Sequence, residues 1–337
     1  MLRRIQIGVC LAILIVPGGC MASTAGAQGI VRQILARKRV FPDVGPGVSV
    51  VKRDAAGRYY ILAVPATTIA IYAADGSRVG QIPNGNSRGV KIAYAQDIDL
   101  DSAGRLFVAD RGANAVKIFE PDGSPVATIR VAAPLSVVAL PNGDCAVAAL
   151  RPGPLVSVFN LQGKLVGSFE SDSAASQDAD RDSSLGRGRI YGDQAGHIYF
   201  AFTDRPDPTI RKYDRYGFAS YEITLPSSEF MPQAQARSWD TVTIGGGNIA
   251  PPMKPVIGAL GINPATQEVW AAIGDELIHF DKDGNRRASY HVATEGGVPI
   301  KPNAILVESD RILLAADPLG IFEFAIPEDQ LAAPSQR

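Results

Sequence analysis

A phrase that recurs along the chain constrains its fold more than any other feature. It is clearest as Asp97-Ile-Asp-Leu-Asp-Ser-Ala-Gly104-Arg-Leu-Phe-Val-Ala-Asp110, followed by Asn114-Ala-Val-Lys-Ile-Phe119-Glu-Pro-Asp-Gly123. The phrase reads strand, glycine turn, strand, loop, strand, glycine turn. Self-similarity at roughly 40 to 50 residues marks a propeller or a solenoid, because one such unit cannot bury its apolar face without stacked neighbours.

The first turns are Asp54-Ala-Ala-Gly57, Asp101-Ser-Ala-Gly104, Leu140-Pro-Asn-Gly143 and Asp193-Gln-Ala-Gly196, with degenerate versions at Asn263 to Gln267 and Glu308 to Asp310. Each is followed by a strand rich in aromatic and β-branched residues, such as Leu106-Phe-Val-Ala109 or Ile198-Tyr-Phe-Ala201. Second turns follow at Ala74-Asp-Gly76, Pro121-Asp-Gly123, Leu161-Gln-Gly163, Arg215-Tyr-Gly217 and Lys282-Asp-Gly284, where glycine supplies the positive φ of a tight hairpin. The sixth unit has no second turn, so its fourth strand must come from elsewhere. The unassigned stretch from Ile30 to Val40 is the candidate. The expected fold is all-β: a six-bladed β-propeller of four-stranded antiparallel blades, its ring closed by an N-terminal strand.

The N-terminus divides off by composition. Arg3 and Arg4 precede an apolar run from Ile5 to Val16 and small residues ending Ala25-Gly-Ala27, the three-part form of a secretory signal. The apolar run is too short to span a bilayer. A rival reading takes Cys20, after Gly18-Gly19, as the lipidated cysteine of a bacterial lipoprotein, with a lipid anchor there. Both readings export the chain to a periplasmic or extracellular space. The expected organisation is a signal peptide over 1–27, the propeller over 28–327 and a polar C-terminal tail over 328–337.

Of three cysteines, Cys10 and Cys20 lie in the signal segment, which leaves Cys145 alone in a strand as a small buried residue. Without Arg3 and Arg4 the 33 basic residues become 31 against 34 acidic ones, a net charge of −3. That balance points away from nucleic acid and from anionic membrane surfaces.

The repeat resembles the NHL-type six-bladed propeller: Asp-x-x-Gly, an aromatic-aliphatic strand ending Ala-Asp, an Asn, a strand ending in Phe, then Asp-Gly. Blade 2 matches nearly in full and the others match in turns and strands, over residues 30 to 325. The resemblance implies that Asp110, Arg111 and Asn114 stabilise their loop by side-chain to backbone bonds. It does not choose an activity, because that architecture hosts lyases, lactonases, synthases and binding modules.

Connection lengths segregate by face. The tight glycine turns share one face, and the long connectors 83–95, 170–188, 225–255 and 292–302 share the other, where binding residues concentrate. Seven residues before the last position of each first turn lies an expected ring around the central channel: Val50, Asp97, Ser136, Arg189, Leu260 and Asn303. The candidate ligand-binding residues are Asp97, Arg189 and Asn303, with Trp239 from the excursion between Pro226 and Pro255. Resemblance to calcium-dependent lactonase-like propellers implies a Glu, two Asn and an Asp as metal ligands near this ring, of which Asp97 and Asn303 match in kind. The competing reading has the channel polar residues in salt bridges and backbone hydrogen bonds.

Asp97, Asp99 and Asp101 do not form a calcium loop, since Ser102 stands where Gly is required and Val108 where a bidentate carboxylate is. Asp101 is expected to accept turn backbone bonds. The three histidines, His197, His279 and His291, all fall off the channel strands, which argues against a multi-histidine zinc site. No glycine-flanked serine elbow is present. The leading expectation is a non-catalytic binding module that recognises a protein, peptide or glycan through its long-loop face and needs no cofactor. The alternative is a calcium-dependent lactonase or esterase working in the central channel.

Overall fold

In the computed structural model the described residues are 32–64, 66–150, 153–171, 188–202, 207–230, 242–244, 247–249 and 257–327. They form six four-stranded antiparallel blades in a ring. The innermost strands are Val48–Arg53, Ala95–Leu100, Pro134–Ala139, Gly188–Gly192, Ala259–Ile262 and Ala304–Val307 in blades 1 to 6. Among the described residues helix is confined to short turns such as Ser227–Phe230. The signal segment with Ala27 and Cys20, most of the Ser/Asp loop after Ser171, Trp239 and the tail 328–337 lie outside the described residues.

The second strands Leu106–Asp110, Ile198–Phe202 and Val269–Ile273 are buried at every position. Period-2 alternation vanishes there because both faces of a blade pack against neighbours. Apolar residues accordingly collect into six clusters, one at each seam. Alternation survives only at the rim, where Pro125–Arg130 buries Ile129 and leaves its neighbours wet.

Turn chemistry follows the sequence. Gly104 has φ +81°, and Asp101 Oδ1 accepts from the amides of Ala103 (3.0 Å) and Arg105 (2.8 Å) while Oδ2 takes Arg105 Nε at 2.6 Å. Asp110 likewise caps its loop, accepting from Ala93 (2.9 Å), Tyr94 (2.8 Å) and Ala113 (3.2 Å), and Asn114 Oδ1 accepts from Ala133 at 2.9 Å.

Ring closure is more elaborate than a single strand from Ile30 to Val40. Lys38–Val40 pairs antiparallel with Ile321–Glu323 as the outer strand of blade 6. Arg32–Leu35 instead lies parallel to Tyr290–Ala293 as a fifth strand on blade 5. Two residues bridge the pair, with Ala36 donating to Ala293 O (2.9 Å) and Arg37 to Glu323 O (2.7 Å). The N-terminal segment thus straps two blades together.

One position of the third strand changes character around the ring. Ile71, Ile118 and Val158 occupy it in blades 1 to 3; Lys212, His279 and Glu323 occupy it in blades 4 to 6, all nearly buried. Each polar group has a specific accommodation. Lys212 lies over the rings of Tyr199 and Tyr221, His279 stacks on Trp270 at 4.1 Å, and Glu323 accepts from Arg311 at 2.8 Å.

Candidate functional site

The six innermost strands surround a central cavity of about 80 Å³, and all six expected ring positions, Val50, Asp97, Ser136, Arg189, Leu260 and Asn303, line it. Blades 1 to 3 each carry a β-bulge just before the ring position, at Ser49, Gln96 and Leu135. A bulge re-aims the next side chain, which is how Asp97 and Ser136 come to face a neighbouring blade.

Inner strands expose one edge to the channel, and the ring side chains satisfy it. Asp97 Oδ2 accepts the Ser136 hydroxyl and the Val137 amide (3.0 Å). Two residues on, Asp99 Oδ2 accepts the Ala139 amide at 2.9 Å. Ser136 Oγ accepts from Ile190 N at 3.2 Å, and Asn303 Nδ2 donates to Val48 O at 2.7 Å. In each case a side chain of one blade bonds to the backbone of the next, so the polar residues stitch blade 2 to 3, 3 to 4 and 6 to 1.

The charges are also paired. Lys52 Nζ lies 2.8 Å from Asp99 Oδ1, an ion pair that joins blades 1 and 2. Burial opposes the Lys52 charge, but Asp99 and Asp97 outweigh it and hold the ammonium above its usual range. Burial pushes the Asp97 carboxyl up, against the pull of Arg189 and Lys52. Arg189 reaches the Gln96 carbonyl at 3.4 Å and is kept charged, against burial, by Tyr191 and Asp97. Lys52, Asp99 and Tyr191 were not among the candidates, although each follows a ring position by two residues and so shares its strand face.

These donors do not fit a calcium site. Calcium takes six to eight oxygens, whereas both bonds recorded for Asp97 are spent on blade 3 and two cations lie close to it. Asn303 is across the ring with its amide committed to Val48, although its Oδ1 is buried and has no hydrogen-bond partner. Among the described residues no three His, Cys, Asp or Glu side chains gather as a metal cluster. The cavity also falls below the ~300–1,000 Å³ that encloses a typical small-molecule ligand. His197 and His291 bond or face turn carboxylates of Asp193 and Asp275, away from the channel.

No protein-family model matches the chain, and no curated protein matches it. Solved structures do. A streptogramin B lyase is 12% identical with a TM-score of 0.52, over 84% of each chain. The WD40 repeats of RRP9 are 10% identical with a TM-score of 0.56, over 88% of this chain and 99% of theirs. The β-propeller domain of Cps50 (Swd1) from Myceliophteria thermophila is 11% identical with a TM-score of 0.53, over 87% and 100%. The chain is a six-bladed β-propeller. At these identities the likeness is one of fold alone, and it includes a lyase alongside WD40 domains.

Proposed function

We propose that this propeller is an exported, NHL-type binding module that presents its long-loop face to a protein, peptide or glycan. One observation carries the reading: the channel carboxylates Asp97 and Asp99 are committed to the backbone of blade 3 and to Lys52. A general base or metal ligand needs a carboxylate free to meet substrate or cation. In this reading Arg189 and the unpartnered Oδ1 of Asn303, both lining the channel, are the polar groups offered to a ligand, with Trp239, outside the described residues, as a further candidate. The loop bonds of Asp110 and Asn114 support the NHL character. Periplasmic or extracellular residence, with or without a lipid on Cys20, is part of the proposal and is read directly by mass spectrometry of the mature N-terminus.

The test is affinity capture from the envelope fraction, with peptide and glycan arrays, using the wild type and an Arg189→Ala/Asn303→Ala variant. A partner bound by the wild type and lost by the folded variant is the expected outcome. Calcium-stimulated turnover of lactones or esters, abolished by Asp97→Ala, would replace this reading with the hydrolase.

A further inference from the structure

The strap that joins blades 5 and 6 is also a basic strip. Between Arg32 and Val40 the sequence carries Arg32, Arg37, Lys38 and Arg39 and no acid. All four are exposed, on what is the outermost strand of blade 5 (Arg32–Leu35) and of blade 6 (Lys38–Val40). Register fixes where they stand. Lys38 is opposite Glu323 and Arg39 opposite Phe322, so they project to opposite faces of blade 6. Arg32 is opposite Tyr290, on the face of blade 5 that meets blade 6. The cations therefore flank the outer rim on both sides of the strap instead of lining a groove.

Elsewhere cations are spent internally. Arg58 pairs with Asp54 at 2.8 Å, Arg105 with Asp101 at 2.6 Å and Arg287 with Asp281 at 2.8 Å. Among the described residues the side chains of Arg32, Arg37 and Arg39 make no hydrogen bond or ion pair. Lys38 reaches Glu323 at 3.6 Å, but that carboxylate is only 7% exposed and is shared with Arg311 at 2.8 Å.

One apolar group accompanies them. Leu35 is 51% exposed, whereas Ile34 and Ala36 on either side of it turn into the seam between blades 5 and 6. Unneutralised cations around an exposed leucine suit an anionic bilayer, where the charges meet headgroup phosphates and the leucine meets the acyl boundary. A fluid charged surface asks for no shape complementarity, which fits cations spread over a rim better than a folded protein partner would. The net charge of −3 conceals this strip because it sums the whole chain, while attraction to a charged surface acts within about 8 Å at physiological ionic strength.

We propose that the N-terminal strap is a docking surface for an anionic phospholipid bilayer. It holds the propeller by the rim of blades 5 and 6 and leaves the long-loop face open. The inference needs the strap alone and not a lipid on Cys20.

Co-sedimentation of the mature chain, residues 28–337, tests it, with vesicles of equal parts phosphatidylglycerol and phosphatidylethanolamine against vesicles of phosphatidylcholine. Saturable binding to the anionic vesicles alone is expected, weakening as salt is raised from about 50 to 300 mM. Each cation at such a surface is worth about fivefold in affinity. Arg32→Gln/Lys38→Gln and Arg37→Gln/Arg39→Gln should therefore each weaken binding by about tenfold or more, and Leu35→Ser should weaken it further in either background. Arg130→Gln/Lys164→Gln, which removes two exposed cations from blades 2 and 3, should leave binding unchanged. Melting curves of each variant confirm that it is folded. No binding to the anionic vesicles, equal binding to phosphatidylcholine, or an equal loss in Arg130→Gln/Lys164→Gln would each overturn the proposal. So would complete competition by inorganic phosphate at matched ionic strength, which would make the strip a phosphate site, or retention on heparin without vesicle binding, which would assign it to a polyanionic glycan.

Discussion

The carboxylate of Asp97 in blade 2 accepts both the hydroxyl of Ser136 and the amide of Val137, which belong to the innermost strand of blade 3. The bond to a strand edge explains why a carboxylate is tolerated at 7% exposure in the centre of the ring. It also gives the residue a titration behaviour that can be measured.

Burial raises the Asp97 pKa on folding from its ordinary 3.8, so the folded state holds this proton more tightly than the unfolded chain. The associated stabilisation is complete below the unfolded value and is lost as the pH rises through the folded one. Asn at this position imitates the protonated acid and does not titrate. The thermal midpoint of the wild type relative to Asp97→Asn should therefore fall as the pH is raised from about 4 to 7. A difference that grows with pH would mean that the ionised carboxylate is the preferred native form. Asp97→Ala, which strands two donors, should cost about 1–3 kcal/mol in urea unfolding.

The Lys52–Asp99 pair is expected to be coupled. Lys52→Met leaves a nearly buried carboxylate without its cation and should cost about 3 kcal/mol, whereas Lys52→Met/Asp99→Asn, which keeps an acceptor for the Ala139 amide, should recover much of that loss. A double-mutant cycle from denaturant melts reads the coupling. Additive losses would show that solvent already screens the pair.

Gly261 marks the close approach of blades 5 and 6, since a Cβ there would overlap Ile305 and press on Val307. Gly261→Ala should destabilise by about 1–3 kcal/mol through overpacking. Gly80→Ala is the matched control, in a rim strand with nothing within 4 Å of the added carbon. Equal midpoints for the two variants would refute the packing argument.

Cys145 is 1% exposed, and burial with the neighbouring Asp144 pushes its thiol up to about 12. Alkylation of the native protein at pH 8 should be slow and should accelerate sharply across the unfolding transition, because the thiolate is the reactive form. Rapid native labelling, followed by mass spectrometry, would contradict the buried placement.

The glycine turns carried nearly all of the fold that was legible before the structure. Gly57, Gly104, Gly123 and Gly196 adopt the positive φ that the repeat implied, and the ring positions counted back from them do line the channel. The split of the N-terminal segment between blades 5 and 6 was not legible. Arg32–Leu35 and Lys38–Val40 are both short and largely exposed, so no hydrophobic pattern announces which edge each will pair with. Lys52, Asp99 and Tyr191 were within reach, because period-2 spacing from Val50, Asp97 and Arg189 places them on the same strand face.

Local sequence by itself determined the blade count, the hairpins and the positions that point inward, because turn chemistry and strand patterning act over a few residues. The partners of the inward-pointing groups were decided only by the tertiary structure. Asp97 meets Val137 across 40 residues and Asn303 meets Val48 across 255. The ring brings those strands together, and its bulges aim the side chains at a neighbouring backbone. The spacing of like residues along the chain carries no record of that.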